Sequence, residues 1–219
     1  MTTVSVIVPT YNRPVLLDRA LKSIADQTYQ DYEAIVINDG GVSVREVTKK
    51  HEKVSLIEYS MNKGLPAARN TGIRASKGKY ITFLDDDDIM LPEHLQTLVD
   101  ALDSGAKIAY GDFYLWKNDK EMHHGMSVDY NKQRLHVHNL FPVMCVMLRR
   151  ELFDDCMFDE TLNSHEDWDL WLRMSEKVTD FVHIKKRTTA YSKRDGQDQI
   201  SKQPHHIEAY REVKRRYDR

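Results

Sequence analysis

Four consecutive carboxylates, Asp85-Asp86-Asp87-Asp88, stand directly after the apolar run Tyr80-Ile81-Thr82-Phe83-Leu84. Adjacent carboxylates repel one another unless they are solvated or neutralised, and a hard divalent cation with oxygen ligands is their natural counter-charge. Such a cation would also grip a diphosphate. An acidic run by itself reads as a solvated turn. The strand before this one changes the reading, because open α/β sheets bind ligands at the carboxyl ends of their strands. Asp39, in Ile37-Asn38-Asp39-Gly40-Gly41, ends a second β-branched run and so falls on the same edge. There it either accepts a donor from a base or ribose, or serves the turn that Asn-Asp-Gly-Gly forms unaided. Arg69 follows Gly64-Leu65-Pro66, a turn and a proline suited to a helix start, and is placed either to reach a phosphate or to be solvated.

The elements that must position these groups alternate along the chain. Val4 to Val8 is a strand pattern stopped by Pro9, and Tyr32 to Ile37 is a second one. Between them Pro14 opens a helix in which Leu17, Leu21 and Ile24 share a face. Val54 to Tyr59 reads as a strand, Pro66 to Ser76 as a helix closed by Gly78, and Tyr80 to Leu84 as a strand. Pro92 opens a helix with Leu95, Leu98, Val99 and Leu102 apolar, and Lys107 to Tyr114 is one more strand. Such alternation predicts an α/β fold, a mixed but mostly parallel sheet sandwiched by helices. The charged, histidine-bearing stretch from Lys117 to His138 reads as a long loop or excursion from the sheet. Phe141 to Leu148 resumes as a strand, Glu166 to Glu176 as a helix with Trp168 and Leu172 inward, and Phe181 to Ile184 as a late strand. His205 to Arg219 is expected to be a basic helix.

Composition bounds the partners. With 219 residues, 41% hydrophobic and 9% aromatic, the chain fits one ordinary globular core, and the expectation is a single domain over 1–219. Within it, about 1–115 carries the strand-end carboxylates, about 116–200 forms a second, less regular half and about 201–219 a basic tail. The 32 basic and 34 acidic side chains leave a net charge of -2, so no overall field favours nucleic acid. No apolar run approaches the ~18 residues of a membrane span, and Met1-Thr2-Thr3 leads straight into a strand pattern, which gives a cytoplasmic expectation. The tail, with Lys214, Arg215, Arg216 and Arg219, adds peripheral membrane contact as an alternative to a plain solvated helix. Cys145 and Cys156 have no CxxC spacing and predict neither a disulfide nor a zinc site. His136 with His138, and His205 with His206, are weak metal signals without nearby acidic ligands.

Five segments in sequence, VSVIVPTYNR from Val4, IVINDGG from Ile35, NKGLPAARN from Asn62, YITFLDDDD from Tyr80 and HEDWDLWLR from His165, resemble glycosyltransferase family 2, whose fold is GT-A. Order and spacing agree over residues 4–173, and agreement across levels makes chance a poor explanation. The resemblance implies an inverting enzyme that moves a sugar from a nucleotide-sugar donor, of UDP or dTDP type, onto a carbohydrate or lipid-linked acceptor in polysaccharide or glycoconjugate synthesis, with about 1–115 as the nucleotide-sugar-binding half and about 116–200 as the acceptor-side half. It implies a divalent cation, Mg or Mn, at Asp87 with Asp85. Pro9, Thr10, Tyr11, Arg13, Asp39, Asn62, Arg69, Asp85 and Asp86 become nucleotide contacts, with Asp39 facing the imide of the base. Asp88 orients the turn. Asp167 becomes the catalytic base, with Glu166 in reserve. A structural alternative stands beside that role, in which Ser164 caps a helix and Asp167 is an ordinary first-turn acid. Where many relatives carry a late arginine and histidine, this chain has Ser192, Lys193 and Arg194, so a late histidine ligand is not expected, and Lys193 and Arg194 read as ordinary surface basic residues with neutralisation of the diphosphate as the alternative. The rival readings are a nucleotide-sugar-binding subunit without activity and a sugar-phosphate nucleotidyltransferase. Both carboxylate sets oppose the first; the absence of glycine in Pro9-Thr10-Tyr11-Asn12-Arg13 opposes the second.

Overall fold

The computed structural model describes residues 2–117, 121–193 and 204–217. Three β-branched runs form the parallel centre: β1 (Val4–Thr10), β2 (Tyr32–Asn38) and β3 (Val54–Glu58), joined on the other side of β1 by β4 (Tyr80–Phe83). Beyond them lie β5 (Ile89–Met90), β6 (Ile108–Lys117), β7 (Glu121–His124), β8 (Val146–Arg149) and β9 (Phe181–Lys193). Among the described residues they make one sheet in the order β3-β2-β1-β4-β8-β6-β9-β5, with β7 paired to β6. The parallel ladders of β1, β2, β3 and β4 and of β6 with β9 carry most of the register, while β8 runs antiparallel between β4 and β6.

Strand periodicity sorts the core. Val4, Val6 and Val8 point to one face and pack with Leu17, Leu21 and Ile24 of α1 (Pro14–Ala25) and with Leu95, Leu98 and Leu102 of α4 (His94–Asp103). Ile7, Ile35 and Ile37 point the other way, toward Ala68 and Ile73 of α3 (Leu65–Ala75) and toward Trp168, Trp171 and Leu172 of α6 (Glu166–Ser175). Each such aliphatic side chain taken out of water contributes about 2 kcal/mol, which is why both faces of the sheet are covered. Residues Arg45–Thr48 add a single turn, α2, before β3, and α7 (Pro204–Tyr217) closes over the start of α6.

Several expectations are corrected. Pro9 does not end its strand: β1 runs to Thr10 in register with β2. The ladder to β4 stops at Ile7 and Phe83, so the proline's missing N–H falls where β1 has no neighbour on that side. The expected strand over Phe141–Leu148 begins as a 3-10 turn at Val143–Cys145, and only Val146–Arg149 pairs. The stretch from Lys117 to His138 is not a plain loop, since β7 folds back on β6 and α5 (Lys132–Leu135) forms a turn whose Arg134 N–H is capped by Asn131 Oδ1. Both elements are four residues long, too short to show a period. The late strand continues past Ile184 to Lys193, with a register irregularity at Asp112, and pairs with the unforeseen β5. Gly78 does not close α3. A Cβ there would lie 2.6 Å from the Ser5 backbone nitrogen, so glycine lets the chain pass against β1.

Candidate active site

The strands β1, β2 and β4 end at Thr10, Asn38 and Phe83, and the chain turns outward from each on the same edge of the sheet. There lies a cleft of about 400 Å³. Pro9, Thr10, Tyr11 and Arg13 form one wall, Asp39 with Asn62 a second, and Asp85, Asp86 and Asp87 the floor toward β4. Tyr11 is about half exposed at the rim. Nine of the residues expected from the sequence therefore meet in one cavity.

Local chemistry explains each placement. Asp39 follows β2 directly, its N–H donating to the Thr10 carbonyl at 2.9 Å. Its carboxylate accepts the backbone N–H of Lys63 at 2.7 Å and of Gly64 at 3.0 Å, so it holds the turn before α3 against the cleft. Gly64 has φ +93, a conformation that favours glycine. Thr10 Oγ1 donates to Asp86 Oδ2 at 2.8 Å, and Arg13 Nη1 reaches Asp86 Oδ1 at 3.2 Å and Asp87 Oδ2 at 3.3 Å. Burial raises the pKa of Asp86 to about 6 against the pull of Arg13, with the Asp87 charge adding to the rise. Asp88 is wholly buried and accepts the Ser192 N–H at 2.8 Å, which ties the end of β9 to the acidic turn; burial, then Asp87 and Asp85, push it well above the carboxylate range. Asp88 Oδ2 is left without a partner in the described structure.

Arg69, Glu166 and Asp167 do not line this cleft. Arg69 is 1% exposed, and its guanidinium is occupied by Asp85 Oδ1 at 2.7 Å and by Glu166 Oε1. Facing the two carboxylates more than offsets burial and raises its pKa, so it is a fixed cation behind the cleft wall rather than an open phosphate hook. It links the acidic turn to the start of α6. Next to Glu166 stands Asp167, half-buried, whose Oδ1 accepts the Trp168 N–H at 2.7 Å and whose Oδ2 accepts from Asn139 Nδ2 at 2.9 Å. Burial and then the Glu166 charge raise its pKa to about 7, with Arg69, the Trp168 N–H and Asn139 acting the other way.

Of the capping alternative, the Ser164 cap does not form, although Asp167 does stand in the first turn of α6. His165, at φ 57, precedes the helix without a side-chain cap, and Ser164 Oγ pairs with His206 Nδ1 at 2.7 Å. Sequence reasoning missed Leu65, Ala68 and Tyr191 in the cleft lining, and Asn139 beside Asp167. Leu65 and Ala68 lie inside the NKGLPAARN segment, whose apolar positions read only as helix, whereas Tyr191 and Asn139 stand in no motif and reach the site from distant parts of the chain. Arg194 and Arg219 lie outside the described residues, as do the side chains of Lys193 and His205.

Among the described residues no three His, Cys, Asp or Glu side chains converge as a ready cation cage. Asp85 and Asp87 on the cleft floor nonetheless fit Mg²⁺ or Mn²⁺ of the kind that takes one or two protein carboxylates and completes its shell with substrate phosphates and water. No helix among the described residues is long and apolar enough to cross a membrane.

Comparison with known proteins agrees with this architecture. The chain is 32% identical over 188 residues to the uncharacterized glycosyltransferase RC0461 of Rickettsia conorii, covering 80% of this chain and 30% of that protein. It is 26% identical over 234 residues to the putative colanic acid biosynthesis glycosyl transferase WcaA of Escherichia coli, covering 99% and 83%. The chain thus spans about a third of the length of the Rickettsia relative and most of WcaA. The crystal structure of S. aureus TarS 1-349 in complex with UDP-GlcNAc shares the fold, with a TM-score of 0.79 at 20% identity over 96% of this chain and 65% of that one. This is the GT-A fold. A sequence profile described as Glycosyl transferase family 2 matches residues 5–157, and the chain belongs to that family.

Proposed function

We propose that this chain is the donor-binding and catalytic unit of an inverting glycosyltransferase, taking a sugar from a UDP- or dTDP-linked donor to an acceptor hydroxyl in polysaccharide or glycoconjugate synthesis. The observation that carries the reading is Asp167. A carboxylate raised to about 7, held at both oxygens and joined through Glu166 and Arg69 to the donor cleft, suits a general base working near neutral pH. An alcohol is a poor nucleophile. Asp167 takes its proton as oxygen attacks the anomeric carbon, and a single in-line displacement inverts that centre. Glu166 is paired with Arg69, which favours it as a positioning group and leaves Asp167 free to receive the proton.

In the cleft, Tyr11 and Asp39 would meet the nucleoside and Arg13 the acidic floor around the diphosphate. Asp87 with Asp85 would hold the divalent cation, which when bound neutralises the departing diphosphate. UDP-GlcNAc in the TarS complex supports a uridine donor for this chain as well. The basic tail is less available to a membrane than its composition suggests, since Arg216 pairs with Asp159 and Glu212 and Lys214 donates to the His136 carbonyl. A panel of UDP-, dTDP- and GDP-sugars, each with and without Mn²⁺, tests the reading through donor hydrolysis. Strong preference for uridine or thymidine donors with metal is expected. Equal turnover of the GDP series, or full turnover in excess chelator, would overturn the donor or the metal assignment respectively.

A further inference from the structure

Asn139 lies 28 residues before Asp167 in sequence, yet its Nδ2 donates to Asp167 Oδ2 at 2.9 Å. The segment that delivers it is fixed at several points. Trp168 Nε1 donates to the Leu135 carbonyl at 2.6 Å, Val128 N–H to the Leu140 carbonyl at 3.0 Å and Lys214 Nζ to the His136 carbonyl at 3.1 Å. Leu135 and Leu140, on either side, are buried in the core. An ionised carboxylate only accepts hydrogen bonds, so the asparagine amide must present its NH₂ to it. With the Trp168 N–H on Oδ1, the two donors fix the plane of the carboxylate and leave one lone pair on each oxygen for other partners.

Resting on the assignment of Asp167 as general base, we propose that Asn139 is the positioning residue that orients this carboxylate and stabilises its proton-accepting form. The groups acting on Asp167 are Glu166 on its own helix, Arg69 on α3 and Tyr191 on β9, with Asp85 one step beyond Arg69. Glu166 and burial favour the protonated acid, whereas Arg69, the Trp168 N–H and Asn139 favour the base. Asn139 is neutral and partly exposed, and among these groups it can be replaced without removing a buried charge.

The test uses the full chain labelled with ¹³C-aspartate, with the Asp167 carboxyl signal assigned by its disappearance in Asp167→Asn. In Asn139→Ala the titration midpoint of that signal should rise by about one pH unit, as expected for losing one hydrogen bond to an ionised group. Asn139→Asp, equal in size but with a like charge, should raise it further. The acid limb of UDP-GlcNAc hydrolysis should move upward with the midpoint, and turnover well above it should recover more fully in Asn139→Ala than in Asp167→Asn. An unchanged midpoint in both Asn139 variants, with thermal unfolding like that of the parent, overturns the proposal. Near-parental hydrolysis by Asp167→Asn would instead overturn the base assignment on which it rests, whatever the midpoint does.

Discussion

Arg69 binds Asp85 with one terminal nitrogen and Glu166 with the other, so a single buried guanidinium joins the acidic turn after β4 to the first residue of α6. The two carboxylates come from segments 81 residues apart (166 − 85). Removing the cation leaves a buried negative charge uncompensated. Arg69→Ala should therefore cost about 3–5 kcal/mol in urea unfolding. Arg69→Lys, which keeps the charge but lacks the fork, should fall between the two. Parental stability in Arg69→Ala would show that the link is dispensable.

Asp167→Asn should keep the cleft intact and reduce turnover at least ~100-fold, the lower range for loss of a general base. Donor affinity by calorimetry should remain near that of the parent. If Glu166→Gln is inactive and Asp167→Asn transfers sugar normally, the roles of the pair are reversed.

The same residue sets a pH dependence of stability. The folded pKa values of Asp86 and Asp167, about 6 and about 7, lie above the ordinary carboxylate value, so the native state binds the extra protons between roughly pH 4 and 7. Their contribution is fully present below about pH 4 and is lost as pH rises through 6 to 7. Asp167→Asn should thus gain stability relative to the parent on going from pH 5 to pH 8, by on the order of 1–2 kcal/mol once solvent screening is allowed for. A constant difference between the two proteins across that range would contradict the raised value.

Metal dependence is tested through Asp87. Asp87→Asn should remove the gain in UDP affinity produced by Mn²⁺, by about tenfold or more, while the fold is retained. Calorimetry with and without the ion measures it directly. Asp39→Ala should weaken UDP binding in the presence and absence of metal alike, because it also leaves the Lys63 and Gly64 N–H groups without their carboxylate.

At Gly72 α3 packs tightly on the sheet, where an added Cβ would stand 2.4 Å from Ile7 Cγ2 and 3.1 Å from Ile37 Cδ1. Gly72→Ala should cost about 1–3 kcal/mol by overpacking. A thermal melt unchanged from the parent would mean that the helix can shift without penalty.

By itself the sequence determined the main alternation of strands and helices as far as β6, the single turn α2 and the two-residue β5 excepted, because periods of two and 3.6 and the turn residues that punctuate them are local properties. It also determined that Asp39 and Asp85 to Asp87 share an edge, since parallel strands bring their carboxyl ends to one side. What the tertiary structure alone decided were the pairings across long separations. Arg69 faces inward between Asp85 and Glu166 because the packing of α3 and α6 on the same face of the sheet aims it there. Ser164 bonds His206 because α7 returns to that site. Asn139 reaches Asp167 because the segment after α5 is pinned to α6 through Trp168. A short or irregular segment carries no period to read, and its contacts are set by the elements that enclose it.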